Sequence, residues 1–77
     1  MNKDKKRHNS EHLRLGQNIR NLRKAKNISQ EELAFKILSA RNYIGCIERG
    51  EKAPSLDIIF DIKNALNCKI EDLFEGI

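Results

Sequence analysis

No run of apolar residues in this chain comes near the ~20 needed to span a bilayer, so no membrane-crossing segment is expected. The first twelve residues hold no apolar side chain after Met1, which excludes the hydrophobic stretch of a secretion signal. Cysteine is scarce: Cys46 and Cys68 stand 22 positions apart with no CxxC pair, and the two histidines, His8 and His12, have no third ligand nearby. The usual zinc and dithiol motifs are therefore absent. Reduced thiols in a cytoplasmic protein are the simplest reading, with Cys68 serving as a small core residue. The alternation of a half-buried strand appears nowhere, and there are no internal repeats. No nucleophile–base pair, carboxylate dyad or phosphate loop is present, so neither an enzyme nor a cofactor or metal carrier is expected. The 77 residues make one domain. A domain of about 60 residues buries only about 60% of its unfolded surface, which leaves little room for an enclosed substrate pocket.

What is present is charge, unevenly placed. Residues 1–12 carry four basic and two acidic side chains, residues 13–52 nine and four, and residues 53–77 two and five. The front of the chain would attract a polyanion and the back would repel one. Residues 1–12 are polar throughout and are expected to form a flexible basic tail. Residues 13–77 are expected to fold.

Within the folded part the apolar residues recur at helical spacing. Leu15, Ile19, Leu22 and Ala25 form the stripe of a first helix, from about 13 to 26, with Asn27 as a left-handed stop. Ser29 and Glu32 form a capping box for a second helix, from about 30 to 37, whose buried face is Leu33, Ala34 and Ile37. A break at Leu38-Ser39-Ala40 precedes a third helix that turns Ile44 and Ile47 inward and stops at Gly50. Ser55 caps a fourth, with Leu56, Ile59, Ile62, Ala65 and Leu66 buried and Asn67 closing it. Ile70 to Phe74 makes a fifth. The expected fold is thus all-α: five helices in one compact domain, with helices 2 and 3 as a helix-turn-helix pair. Ala34 stands where the two crossing helices need a small side chain. Arg41, Asn42, Gly45, Cys46 and Arg49 are left pointing away from the core.

With these segments in view, the chain resembles the phage-repressor (Xre/Cro-like) helix-turn-helix family. The stretches LGQNIRNLRKAKNISQEELAFK, RNYIGCIERGEKAPSLDII and ALNCKIEDLF carry the likeness over about 60 residues. The wording EELAFK followed by RNYIG and IERG is most similar to the controller proteins of restriction–modification systems. The resemblance implies a sequence-specific transcriptional regulator whose partner is double-stranded DNA. It implies base contacts from Arg41, Asn42, Tyr43 and Cys46, and phosphate contacts from Gln30, Ser39, Arg49 and Lys52. It also implies an ion pair, Arg23 with Glu48, tying helix 1 to helix 3.

Each role has a plainer counterpart. Gln30 suits any helix start, Arg41 any solvated surface and Tyr43 a core edge. Cys46 is a weak hydrogen-bond donor, and Arg23–Glu48 could be a loose surface pair. The chain also departs from the family pattern. Leu38 and Ser39 stand where glycine and an apolar residue are usual, and a leucine with positive φ is strained, so a reshaped turn with an earlier third helix is expected. Lys69 replaces a capping serine. Gly45 interrupts helix 3 at a cost of about 1 kcal/mol relative to alanine.

One recognition helix reads only a few base pairs, so a homodimer on a palindromic operator is expected. Ile58, Phe60, Leu73, Phe74 and Ile77 offer its interface. The basic tail would add phosphate contacts, and the acidic edge Glu31–Glu32 is compatible with contact to RNA polymerase. The rival reading is an antitoxin or other protein-interaction module of the same fold.

Overall fold

The computed structural model describes residues 7–77. Five helices follow in order: α1 Asn9–Ala25, α2 Gln30–Lys36, α3 Arg41–Glu48, α4 Leu56–Leu66 and α5 Ile70–Leu73. No strand forms among the described residues. Helix α1 begins four residues before the expected position, so Asn9 to His12, assigned above to the tail, are its first turn. Glu11 favours that turn through the helix dipole and lies 3.6 Å from His8. His8, Glu11 and His12 then line a groove with Pro54, Leu56 and Phe74. An apolar pattern is silent about polar residues that extend an existing helix, because propagation costs far less than nucleation. Residues 1–6 of the expected tail lie outside the described residues.

The helix ends share one device. After α1, α2, α3 and α4 a single residue adopts the left-handed conformation: Asn27, Leu38, Gly50 and Asn67, with φ of 61°, 56°, 75° and 53°. In each, the N–H of that residue and the N–H of the one after it fold back on carbonyls of the last turn. At α2 these are Leu38 N–H to Phe35 O at 3.2 Å and Ser39 N–H to Ala34 O at 2.8 Å. The turn expected to be reshaped by leucine therefore keeps its form, and α3 starts at Arg41 rather than earlier. Two recovered carbonyl bonds outweigh the 1–2 kcal/mol that the left-handed region costs an L-residue.

The starts are less uniform. Ser29 and Ser55 accept the N–H groups of Glu32 and Ile58 at 3.0 and 3.2 Å. The return bond from Glu32, the other half of the expected capping box, is not made, and Glu32 stays exposed. At α5 the order is inverted. Lys69 supplies no cap, and Asp72 reaches back to accept the Lys69 N–H at 3.0 Å.

Ile19, Leu33, Ile44, Ile47, Ile62, Leu66 and Leu73 are fully buried and come from all five helices. Two expected inward positions turn out. Leu56 is 69% exposed, since α4 is entered from solvent at its first residue, and Ala25 is exposed as the last residue of α1. Conversely Leu73, assigned above to a dimer interface, is at 0% exposure in the core. It points from α5 toward α1 and α4, and its area is already spent within one subunit. Asn18 on α1 holds this end of the chain: its Nδ2 donates to Leu73 O and Glu75 O, both at 2.8 Å. Arg14 Nε adds a bond to Glu75 O at 3.1 Å.

The tightest crossing is where α1 meets the end of α3. A Cβ on Gly16 would lie 2.6 Å from Glu48 O and closer still to Ile47 O. Both obstacles are backbone, so nothing yields cheaply. Gly16→Ala is expected to lower stability by roughly 1–3 kcal/mol, as overpacking does. Leu38→Gly should raise it by up to about 1 kcal/mol, because the strain goes and the exposed side chain gives up no burial. Urea melts at fixed protein concentration, with unchanged slope, check both.

Candidate nucleic-acid interface

Helix α3 lies across α1 and α2, with Ile44 and Ile47 inside. The inward pair leaves positions 41, 42, 45, 46 and 49 on the opposite face, as a 3.6-residue period requires. Arg41 and Asn42 open the helix and are exposed. Tyr43 is half-buried, with its ring packed against the core, so the core-edge role weighed above belongs to the ring. Cys46 is half-buried. Gly45, expected to point away from the core, is buried, because the Arg49 side chain lies over it. Ser39 is half-buried in the turn and Lys52 is exposed beyond the α3 exit.

Beneath this face sits one carboxylate. Glu48 Oε2 accepts Arg23 Nε at 2.7 Å, and its Oε1 accepts Arg23 Nη2 at 3.1 Å. The third corner of the guanidinium, Nη1, donates to Ile28 O at 2.7 Å. Gln30 Nε2 completes the set with a bond to Glu48 Oε1 at 2.9 Å. Both charged side chains are almost wholly buried, at 9% and 2% exposure. The pair is thus not a loose surface contact. It joins α1, the α1–α2 loop, the first residue of α2 and the last of α3. Gln30 is held by the protein itself through one N–H, and the rest of its amide makes no hydrogen bond among the described residues.

Arg49 and Glu51 form a second, exposed pair, with Nε–Oε2 at 3.0 Å and Nη2–Oε1 at 3.2 Å. The hydrogen bond from Arg49 holds the Glu51 carboxyl below its ordinary pKa. The pair therefore persists above the usual carboxylate range and opens only as pH falls through that lowered value. Burial, with help from Asp72, pushes the Cys68 thiol up, in keeping with a core filler.

One residue escaped the sequence reading. Arg20 lines a shallow groove with Ser29, Gln30 and Arg41, bringing a cation from α1 beside the starts of α2 and α3. Its spacing of three from Arg23 put it on the same helix face, and that signal was available. The apolar side chains expected at an interface divide. Phe60, Phe74 and Ile77 are exposed, Ile58 is half-buried against the core and Leu73 is inside it. Leu56, Phe74 and Ile77 share a groove with Ala53 and Pro54.

The geometry has close parallels. The model of a helix-turn-helix family matches residues 19–73. The chain is 44% identical over 68 residues to control protein C.BamHI of Bacillus amyloliquefaciens, covering 87% of this chain and 84% of that one. It is 37% identical over 59 residues to control protein C.SmaI of Serratia marcescens, covering 77% and 70%. Among solved structures, the restriction-modification controller protein C.AhdI of Aeromonas hydrophila superposes with a TM-score of 0.81. That match is at 40% identity and covers 84% of this chain and 98% of C.AhdI.

Removing one member of the buried pair would strand the other charge. Arg23→Ala or Glu48→Ala is expected to cost about 3–5 kcal/mol, and Gln30→Ala no more than about 1 kcal/mol. Thermal denaturation of the three variants would show this order; equal effects would make the pair no more than a surface contact.

Proposed function

The chain belongs to the helix-turn-helix family of DNA-binding transcription regulators, and from this we propose that it acts as a homodimeric restriction–modification controller on a palindromic operator. Helix α3 enters the major groove with Arg41 and Asn42 leading. Arginine pairs with guanine and asparagine with adenine through two bonds each. The Tyr43 hydroxyl and Cys46 reach the neighbouring base edges. Gln30, Ser39 and Lys52 take phosphates on either side, and Arg20 adds a further one beside Arg41. The observation that carries this reading is the rigid mounting of the exposed stripe. Arg41 and Asn42 stand in solvent on a helix whose far end is fixed by the Glu48 carboxylate, so little order has to be acquired on binding.

Dimerisation brings the second α3 to the next half-site, about one helical turn away. We assign the interface to Phe60, Phe74 and Ile77 with Leu56, which lies one turn before Phe60 on α4, and to the outer edge of Ile58. These apolar side chains remain exposed after the core is complete. The acidic C-terminal third that carries them keeps this face off the DNA. Glu31 and Glu32, both exposed on α2, form the edge that would meet RNA polymerase in an activating role.

A titration against duplex from the protein's own upstream promoter and a scrambled control, at two salt concentrations, tests the function. Tight binding to the promoter alone, reduced roughly 10- to 100-fold in Arg41→Ala, is expected. Weak and equally salt-sensitive binding to both duplexes, indifferent to Arg41, would reduce the protein to a basic surface near a polyanion. Phe74→Glu or Ile77→Asp should shift the sedimentation coefficient to that of a monomer without lowering helix content; an unchanged dimer places the interface elsewhere.

A further inference from the structure

The sequence places a cation at the exit of α3 and suggests a phosphate contact for it, but the fold gives Arg49 another partner. The stop at Gly50, with φ of 75°, turns the chain back on the helix. Gly50 N–H donates to Ile47 O at 3.0 Å and Glu51 N–H to Cys46 O at 2.8 Å, so residue 51 lies beside the last turn. From there the Glu51 carboxylate accepts Arg49 Nε at 3.0 Å and Nη2 at 3.2 Å. The rest of the guanidinium lies on α3. Its Nη2 also meets Cys46 Sγ at 3.7 Å, and its Nη1 covers Gly45, where a Cβ would stand 3.0 Å away. No pair of Arg49 donors is therefore turned outward. Two parallel bonds of this kind are what a guanidinium makes to a carboxylate or to a phosphate. Both side chains are more than half exposed, at 58% and 55%, so a phosphate can reach the pair without any unfolding.

We propose that Glu51 is an internal substitute for a DNA phosphate, which withholds Arg49 from the backbone and so limits the sequence-independent affinity of this protein. This rests on the reading that α3 enters a DNA groove. To engage Arg49, a phosphate has to displace a carboxylate already in place, and the gain is only the difference between two similar contacts. A pair of zero net charge also neutralises no phosphate and releases no counterions. With Arg49 and Glu51 cancelling, the positive charge of this exit is left to Lys52. A larger share of the binding free energy then comes from base contacts at Arg41 and Asn42, and the operator fills at a higher protein concentration. An exposed ion pair adds little to stability, so its consequence lies in what Arg49 is kept from. The device needs only Arg49-Gly50-Glu51, because the left-handed glycine brings the carboxylate back beside the helix.

The full-length protein would be titrated against its promoter duplex and a scrambled control over a series of salt concentrations. Wild type, Glu51→Ala, Arg49→Ala and the double variant make a cycle. Glu51→Ala should bind both duplexes about 2- to 10-fold more tightly than wild type. Its dependence of log K on log salt should steepen by about 0.9 for each subunit bound, the signature of one more neutralised phosphate. In the Arg49→Ala background the same change should give a smaller gain and leave the slope as it was. Glu51→Ala should melt at the wild-type temperature, since the pair is exposed. An equal gain in both backgrounds would overturn the proposal, because Glu51 would then be only a negative charge near a polyanion. Weaker binding of Glu51→Ala would also overturn it, by showing that the carboxylate holds Arg49 in contact with DNA. A wild type that binds neither duplex overturns the proposal together with the function on which it rests. A wild type that prefers its promoter, with Glu51→Ala no tighter on either duplex, overturns the proposal alone.

Discussion

The Glu48 carboxylate is the point on which the rest of this molecule turns. It is buried, and so it must be paired. Its partner is Arg23, from the far end of α1. Because the guanidinium also binds the Ile28 carbonyl, and the carboxylate also binds Gln30, four segments are held at one place. A well-packed apolar group could match or exceed its contribution to stability. What an apolar group would lack is direction. The paired charges define the rotation of α3 about its own axis relative to the start of α2. That rotation decides which side chains leave the surface together. Gly16 belongs to the same constraint, since only a residue without a side chain lets α1 come within reach of the Ile47 and Glu48 carbonyls.

A second economy lies in the helix ends. Each of four helices stops at one left-handed residue, and after Asn27, Leu38 and Asn67 the next helix begins three positions on, the link from Gly50 to Leu56 being longer. Short connections keep a small domain compact and hold the entropic cost of ordering it low. Asparagine or glycine fills three of these positions. Leucine fills the fourth, between α2 and α3, where its side chain is 92% exposed. Nothing in the subunit is gained by that side chain; the backbone geometry persists because the Phe35 and Ala34 carbonyls would otherwise be left unpaired.

The surface is divided by charge as well as by shape. Arg20 of α1 stands beside Arg41 of α3, while the last third of the chain carries both an excess of acidic residues and the exposed apolar side chains Leu56, Phe60, Phe74 and Ile77. A polyanion and a second subunit would thus meet different residues of one small body. Neither face required a cavity, which suits a chain too short to enclose one.

Much of the fold was legible in the residues. The apolar period placed all five helices, and Ser29, Ser55, Asn27, Gly50 and Asn67 marked their limits, because caps and stops depend on a few neighbours along the chain. The candidate stripe on α3 was legible for the same local reason: once Ile44 and Ile47 face inward, the period of the helix leaves Arg41, Asn42 and Cys46 outside. The spacing of Arg23 and Glu48, 25 positions apart, gave no sign that Gln30 would join them or that the pair would be buried, since that depends on how three helices cross. The extension of α1 to Asn9, the withdrawal of Leu73 into the core and the exposure of Leu56 likewise follow from which neighbours happen to stand opposite. Arg49 is the sharpest case. Its identity and its helix face follow from sequence alone, but the direction of its guanidinium is set by Glu51 and by the bare backbone of Gly45. Local sequence determines where a helix begins, which way its faces turn and where it stops, because those are short-range hydrogen-bonding and steric matters. Only the tertiary structure decides what each exposed polar group is already bonded to, because a charged side chain is oriented by partners that the fold brings from elsewhere.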